Sequence, residues 1–398
     1  MSGLSYSDVV GSARFRAIVA RLRAFSASPE MLALQRMLPA SFIGLALGLV
    51  AFMAAQTGTL LERFSKSFGA AFGIMAILLV VLLTYDLAKR RAVPRVAALA
   101  IAASAFALSL PYDRSETPFV LARALGSSGL FLAIGIALAT VTALRFAQKR
   151  AGRLGGIALG ASIVDGGAAL LLFSGISLTH ALDTAIAPLG NLGDSLEALL
   201  VITLVETLLW TIGIHGPALL AAVVLPVYVH LQLQNTEALA HNAPLPHIVT
   251  VSMFLFVFPG GAGATLPLVL LLLRSRVKRV RRVALATLLP SLANANEPLM
   301  FGLPVVLNPT LGVPFVITPL VLAFVSYEAM ALGFVARPAY YIPSTVPIPF
   351  GAFAATKDWR SVALMFVNVA IGLAIYAPFA RAYERQALRR EAVDDTAA

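Results

Sequence analysis

The chain contains no cysteine among its 398 residues. That excludes disulfides, thiolate metal sites and any nucleophilic or phosphate-carrying thiol of its own. Charge is scarce as well. Lys, Arg, Asp and Glu together make up 12% of the residues, against roughly a quarter in ordinary globular domains. A water-soluble fold of this length needs a polar surface that so few charged side chains do not supply. Composition therefore excludes a cytosolic enzyme, a nucleic-acid-binding domain and a disordered regulator. No cofactor motif and no metal-ligand spacing is present: His230, His241 and His247 bracket a polar loop without the pattern of a zinc site.

What is abundant is apolar sequence, with 59% hydrophobic residues and a mean hydropathy of +0.87. A helix needs about 20 apolar residues to cross a hydrocarbon core ~30 Å thick. Five stretches qualify in the first half: Met37–Thr57, Ser67–Tyr85, Val96–Leu110, Pro118–Leu144 and Gly156–Leu178. The second half has apolar stretches at 197–213, 217–232, 248–273, 283–293, 298–308, 311–334 and 361–380, interrupted by Gly, Pro and polar clusters. The expected class is an all-α polytopic membrane protein with about ten transmembrane helices plus re-entrant hairpins. Eight crossings result if 197–232 also folds back on itself.

The net charge of +11 is set by topology. Five clusters, Arg14–Arg36, Lys89–Arg95, Arg145–Arg153, Arg274–Arg282 and Arg381–Arg390, hold 23 of the 30 Lys and Arg. Basic residues collect on the cytoplasmic side of membrane proteins, so this bias predicts both termini in the cytoplasm. Nucleic acid is not needed to explain it. Residues 1–30 carry scattered arginines without a compact apolar region, and read as a basic amphipathic segment at the membrane surface, or equally as a partly ordered solvated tail, rather than a signal peptide. Between Arg282 and Arg381 the number of crossings must be even. The arms 283–293 and 298–308 are too short to cross, so a re-entrant hairpin is expected, its polar tip at Asn294–Pro298.

Two polar interruptions stand out. One is Gly213-Ile214-His215-Gly216-Pro217; the other is Asn294 to Pro298, followed by Phe301-Gly302-Leu303-Pro304 and Asn308-Pro309. Non-helical backbone at membrane depth persists only where protein covers it or where it lines a watery cavity. Paired broken segments point to a transporter binding site. Each carries one ionisable group, His215 or Glu297, which is costly in a bilayer and marks a functional site by default. An imidazole, a carboxylate and neighbouring amides can donate to and accept from the hydroxyls of a sugar. Both residues also fit a plainer role as buried hydrogen-bonding residues that pin a loop.

Weaker signals complete the reading. Phe258-Pro259-Gly260-Gly261-Ala262-Gly263-Ala264-Thr265 lacks the Lys-Ser/Thr ending of a phosphate loop; close backbone packing beside a substrate and simple helix-to-helix packing fit it equally. Pro343 to Gly351 holds prolines that prevent a regular helix, as either a pore-lining segment or an external loop. Asp165 and Glu206 fit either a coupling path or simple helix packing.

At Trp210–Pro217, at Gly260–Leu266 and above all at Asn294-Ala295-Asn296-Glu297-Pro298-Leu299-Met300-Phe301-Gly302-Leu303-Pro304-Val305-Val306-Leu307-Asn308-Pro309, the chain resembles the membrane subunit (enzyme IIC) of the bacterial phosphoenolpyruvate-dependent sugar phosphotransferase system. The branch resembled is that for lactose, cellobiose and diacetylchitobiose. The resemblance is clearest over 195–380. It implies an inner-membrane permease subunit that binds a sugar, with a disaccharide expected, and presents it for phosphorylation by IIB, itself supplied by IIA. It also implies a homodimer formed through five N-terminal helices. The corresponding divisions are 1–30, a cytoplasmic basic segment; 31–190, the dimerisation domain; 191–385, the transport domain with hairpins; and 386–398, a cytoplasmic tail. The family's sugar-contacting His and Glu fall on His215 and Glu297, with Asn296 beside them and Gly216, Asn294 and Thr345 in the same segments. Glu297 is the residue expected to assist proton removal from the attacking hydroxyl. No residue of this chain would carry phosphate, so it is enzymatic only within the assembled system. One departure is visible. The family's Pro-Trp-Thr-Thr-Pro-Pro pattern reads here Pro343-Ser344-Thr345-Val346-Pro347-Ile348, with Ser344 where an aromatic ring could stack on a sugar. Two other readings remain open: an orphan membrane sensor that keeps the fold, and an ion-driven transporter with Glu206, His215 and Glu297 as relay.

Overall fold

The computed structural model describes residues 27–55, 57, 60–110, 128–175, 178, 181–182, 184, 192–303, 305 and 308–397, with 17, 20–21 and 24–25. The 1–16 stretch of the basic N-terminal segment, the opening of the span expected from Pro118, His180 and Pro304 lie outside these residues. The described chain is all-α, with no strand among the described residues.

The chain divides into two compact units. The first to be described comprises residues 23–191 and 221–244. It contains α1 (Pro29–Ala55), α2 (Leu60–Arg90), α3 (Arg95–Leu108) and α4 (Ser128–Phe173). Ser28 caps α1, its hydroxyl accepting from Met31 N at 3.3 Å, and Pro29 opens the helix where no N–H is required. α2 packs against α1, α3 and α4 through a stripe of fully buried residues, Met75, Leu79, Leu83 and Leu87. This stripe repeats every four residues, as one helix face should. Ser104 donates to Asp165 Oδ1 at 2.8 Å, so that intramembrane carboxylate bridges α3 and α4 as a packing contact.

α4 is two helices. Gly152 has φ 66° and ψ −164°, a region open only to glycine. Beyond it the chain doubles back: Gly156 lies against the Gln148 main chain and Gly160 against Leu144. The reversal falls inside the basic cluster 145–153, between the two spans expected there. α3 is shorter than its expected span, at 14 residues. That is about 21 Å of helix, below the length of a crossing.

The second unit comprises residues 1–22, 192–220 and 245–398. It holds α5 (Leu196–Thr211), the start of α6 (Gly216–Ala240), α7 (Phe254–Val257), α8 (Leu266–Leu272), α9 (Lys278–Leu292), α10 (Glu297–Gly302), α11 (Pro309–Ala331), α12 (Ile348–Thr356) and α13 (Trp359–Ala397). α11 and α13 pack on one another, α11 also on α5, and α13 also on α8 and α12. These two long helices match the apolar stretches 311–334 and 361–380, and both are long and apolar enough to cross a membrane, as is the chain from Gly129 to Phe173. By contrast, 248–273 is no single helix. A short 3₁₀ turn and α7 end at Val257, the glycine-rich segment follows, and α8 begins at Leu266. The proline-rich segment is non-helical only as far as Pro347, with a turn closed by Val346 N donating to Pro343 O at 3.1 Å; from Ile348 it forms α12, with Pro349 in the first turn, where proline is tolerated.

Candidate functional site

The two polar interruptions are built alike. α5 ends in a Schellman turn: Ile214 N donates to Leu209 O at 2.9 Å and Gly213 N to Trp210 O at 3.0 Å, with Gly213 at φ 80°. α9 ends the same way. Ala295 N donates to Pro290 O at 2.9 Å and Asn294 N to Ser291 O at 3.1 Å, with Asn294 at φ 58°. Asn is the residue after glycine that best tolerates this left-handed position. Each turn satisfies the last carbonyls of its helix and sends the chain back. His215 then follows two residues after the first left-handed residue, and Glu297 three residues after the second.

The turns bring the two ionisable side chains together. His215 Nε2 lies 3.9 Å from Glu297 Oε1, and each side chain is about half exposed, at 43% and 49%. This is ion-pair range, and wider than a direct hydrogen bond. The Trp210 indole packs beside the imidazole, with ring centroids 4.5 Å apart and planes at 48°. Trp210 is itself buried. Gly216 begins α6 against the Glu206 main chain, so close that a side-chain carbon there would sit 2.2 Å from the Glu206 carbonyl oxygen. Only glycine lets the return arm start at this point. Glu206 is buried on the α5 face that also carries Thr203 and Trp210.

The α9–α10 tip is held from beneath by the glycine-rich segment. Asn294 Oδ1 accepts from Gly260 N at 2.9 Å, and Asn294 Nδ2 donates to Ser344 O at 2.7 Å. Asn296 is buried, and its Nδ2 donates to Ala262 O at 2.6 Å. Gly261 lies so near the tip that a side-chain carbon would be 2.6 Å from Asn294 O. The segment is fixed in turn by Thr265 Oγ1 donating to Gly260 O and Tyr376 Oη donating to Gly263 O, both at 2.7 Å. Below the tip, Leu299 and Met300 of α10 and the following Leu303 join Leu268, Val280 and Phe315 in one apolar core. The carboxylate thus stands on a hydrogen-bonded tip over a packed base.

Of the residues singled out from sequence, His215, Glu297, Gly216, Asn294 and Asn296 fall on these two turns. Thr345 is exposed and follows the Ser344 carbonyl that Asn294 binds. The two asparagines direct amide groups to main-chain atoms, a structural task that sequence does not announce. Gly260 and Ala262 entered the reading as part of a glycine-rich segment packed beside a substrate or between helices; here they supply the N–H and carbonyl that orient the tip. His247 is a structural pin. Its Nδ1 is 2.9 Å from Asp194 Oδ2, while Asp194 Oδ1 accepts from Ile248 N and Val249 N.

Known proteins carry the same arrangement of sequence. Residues 31–319 match the family model for the phosphotransferase system, EIIC. The chain is 32% identical over 382 residues to the lichenan permease IIC component of Bacillus subtilis strain 168, covering 86% of this chain and 84% of that protein. It is also 32% identical over 372 residues to the cellobiose-specific EIIC component of Geobacillus stearothermophilus, with 84% and 82% covered. Among solved structures, the transporter ChbC, the IIC component of the N,N′-diacetylchitobiose-specific phosphotransferase system, superposes with a TM-score of 0.81 at 27% identity. That match covers 96% of this chain and 99% of ChbC. With a membrane-type helical fold and matches over most of its length, the chain belongs to the EIIC family of the phosphotransferase system, as a sugar permease of the cellobiose, lactose and chitobiose type.

Proposed function

We propose that this permease binds a disaccharide between the two broken segments and presents it to a phosphorylated IIB partner. The observation that carries the reading is the 3.9 Å separation of His215 Nε2 and Glu297 Oε1, both half exposed at the ends of reversed helices. A sugar hydroxyl fits that gap: it donates to the carboxylate and accepts from an imidazole N–H. Trp210 holds the imidazole plane beside it. Gly216, Asn294, Asn296 and Thr345 line the same region, the asparagines mainly by fixing the shape of the tip.

In the phosphoryl-transfer step the hydroxyl oxygen forms a bond to phosphorus and the bond from phosphorus to the IIB thiol sulfur breaks. The hydroxyl proton passes to Glu297 Oε1, which makes the oxygen a better nucleophile as the bond forms. The charged product does not return through the apolar path, so uptake is one-way. IIB docks at the basic clusters on the cytoplasmic side, where the charge bias also puts both termini. Residues 31–190 form the dimer contact, and 191–385 carry the sugar.

The test is calorimetry on purified, folded protein with cellobiose, lactose and diacetylchitobiose. At least one of these binds, and Glu297→Gln weakens it tenfold or more, about 1.4 kcal/mol. Binding undiminished by Glu297→Gln removes this carboxylate from the site. Accumulation in vesicles that follows an ion gradient with no phosphate donor removes the phosphotransferase coupling.

A further inference from the structure

The unit built from α1–α4 has a cavity of about 450 Å³ whose lining includes none of the residues assigned above to the sugar site. It is lined by Ala92, Val93 and Pro94 of the α2–α3 turn and by Gln148, Gly152 and Arg153 of the α4 reversal. We infer that this cavity is a binding site for the phosphate of an anionic phospholipid headgroup, with Arg153 and Gln148 as its polar contacts.

The charge around it is one-sided. Eight cations flank the two turns: Lys89, Arg90, Arg91 and Arg95 on one, and Arg145, Lys149, Arg150 and Arg153 on the other. Asp86 takes Arg90 and Glu30 takes Arg91, the latter through Arg91 Nε donating to Glu30 Oε1 at 2.8 Å. Arg95 and Arg150 lie over the rings of Tyr85 and Phe146. Among the described residues, no carboxylate pairs with Arg153, which stands at the cavity wall.

The backbone adds to this. α3 starts at Arg95 behind Pro94, and no side chain caps its first N–H groups. The second half of α4 starts at Arg153, immediately after the break at Gly152. Two helices of 14 and about 20 residues therefore begin at the cavity rim, each with the positive end of its dipole there. The side chains of Ala92, Val93 and Pro94 face the polar Gln148 and Arg153 across the cavity, a mixed lining that suits a headgroup phosphate with its glycerol beside it. Basic pockets between transmembrane helices at the membrane surface bind such headgroups, and the surrounding Lys and Arg add long-range attraction.

The experiment is native mass spectrometry of the full chain released from mixed phosphatidylglycerol and phosphatidylcholine. Wild-type protein retains phosphatidylglycerol several-fold over phosphatidylcholine. Arg153→Gln lowers that preference at least threefold, whereas Arg279→Gln, a basic residue of the other unit, leaves it unchanged. Retention that falls equally in both variants, or no preference in wild type, overturns the site. Inorganic phosphate, titrated against thermal unfolding in neutral detergent, separates the sources. No Arg153-dependent stabilisation at millimolar phosphate is expected. Full occupancy by phosphate alone would replace the lipid with a free anion. Gln148→Ala gives a second variant, checked for folding by thermal unfolding, and it lowers lipid preference in the same direction.

Discussion

Asn294 Nδ2 donates to the main-chain oxygen of Ser344 at 2.7 Å, fifty residues away along the chain. The same side chain accepts the Gly260 N–H, and its own backbone is left-handed. Three segments therefore meet on one amide. Replacing Asn294 by Ala removes both side-chain bonds and leaves an alanine at positive φ. The expected cost is about 2–3 kcal/mol, from roughly 1 kcal/mol per hydrogen bond plus the strain. Asn294→Gly relieves the strain and loses less. Thermal unfolding in detergent measures the order: wild type, then Gly, then Ala. An Ala variant as stable as wild type would show that the clamp contributes nothing.

Asp358 gives a pH-dependent prediction. Burial alone raises its carboxyl, but the Arg360 side chain and the N–H groups of Ala336 and Arg360 outweigh that and hold it below the ordinary aspartate range. A depressed carboxyl stabilises the fold fully above its unfolded value of about 3.9 and loses that contribution as pH falls through the folded value. Asp358→Ala is therefore less stable than wild type at neutral pH. The gap in Tm narrows as pH drops below about 4. A gap that is constant with pH would place the effect in packing rather than in charge.

Two glycines of α4 should respond in opposite directions. Gly152 sits at φ 66° and ψ −164°. An alanine there opposes the reversal and costs a few kcal/mol, read as lowered Tm and yield. Gly135 is helical, exposed and has open space where a side-chain carbon would go. Gly135→Ala is neutral or stabilising by up to about 1 kcal/mol.

The absence of cysteine makes orientation directly measurable. Single introduced thiols report their side of the membrane to an impermeant maleimide. The charge bias predicts that Arg150→Cys and Arg279→Cys in right-side-out vesicles react only after lysis. Leu332→Cys, exposed at the end of α11, reacts at once. The reverse pattern would invert the topology.

The long elements were legible because apolar length is a strong signal: α11 and α13 lie where stretches 311–334 and 361–380 predict helices. The reversal in α4 was legible from the basic cluster 145–153 that divides two apolar runs. His215 and Glu297 stood out because an ionisable group within apolar sequence needs a reason. Their approach to 3.9 Å was less accessible. It depends on two Schellman turns and on Asn294 adopting a left-handed backbone, which no periodicity records. The double duty of Asn294 and Asn296 was hidden for a related reason. An amide reads alike whether its partner is a ligand or a main-chain carbonyl. The stretch 248–273 was legible as apolar and glycine-interrupted; that its glycines form buried turns between two short helices was not.

The tip grips position 344 by its peptide oxygen, an atom that every amino acid possesses. Because the bond goes to the main chain, exchanging the side chain at 344 leaves this grip intact and need not loosen the scaffold.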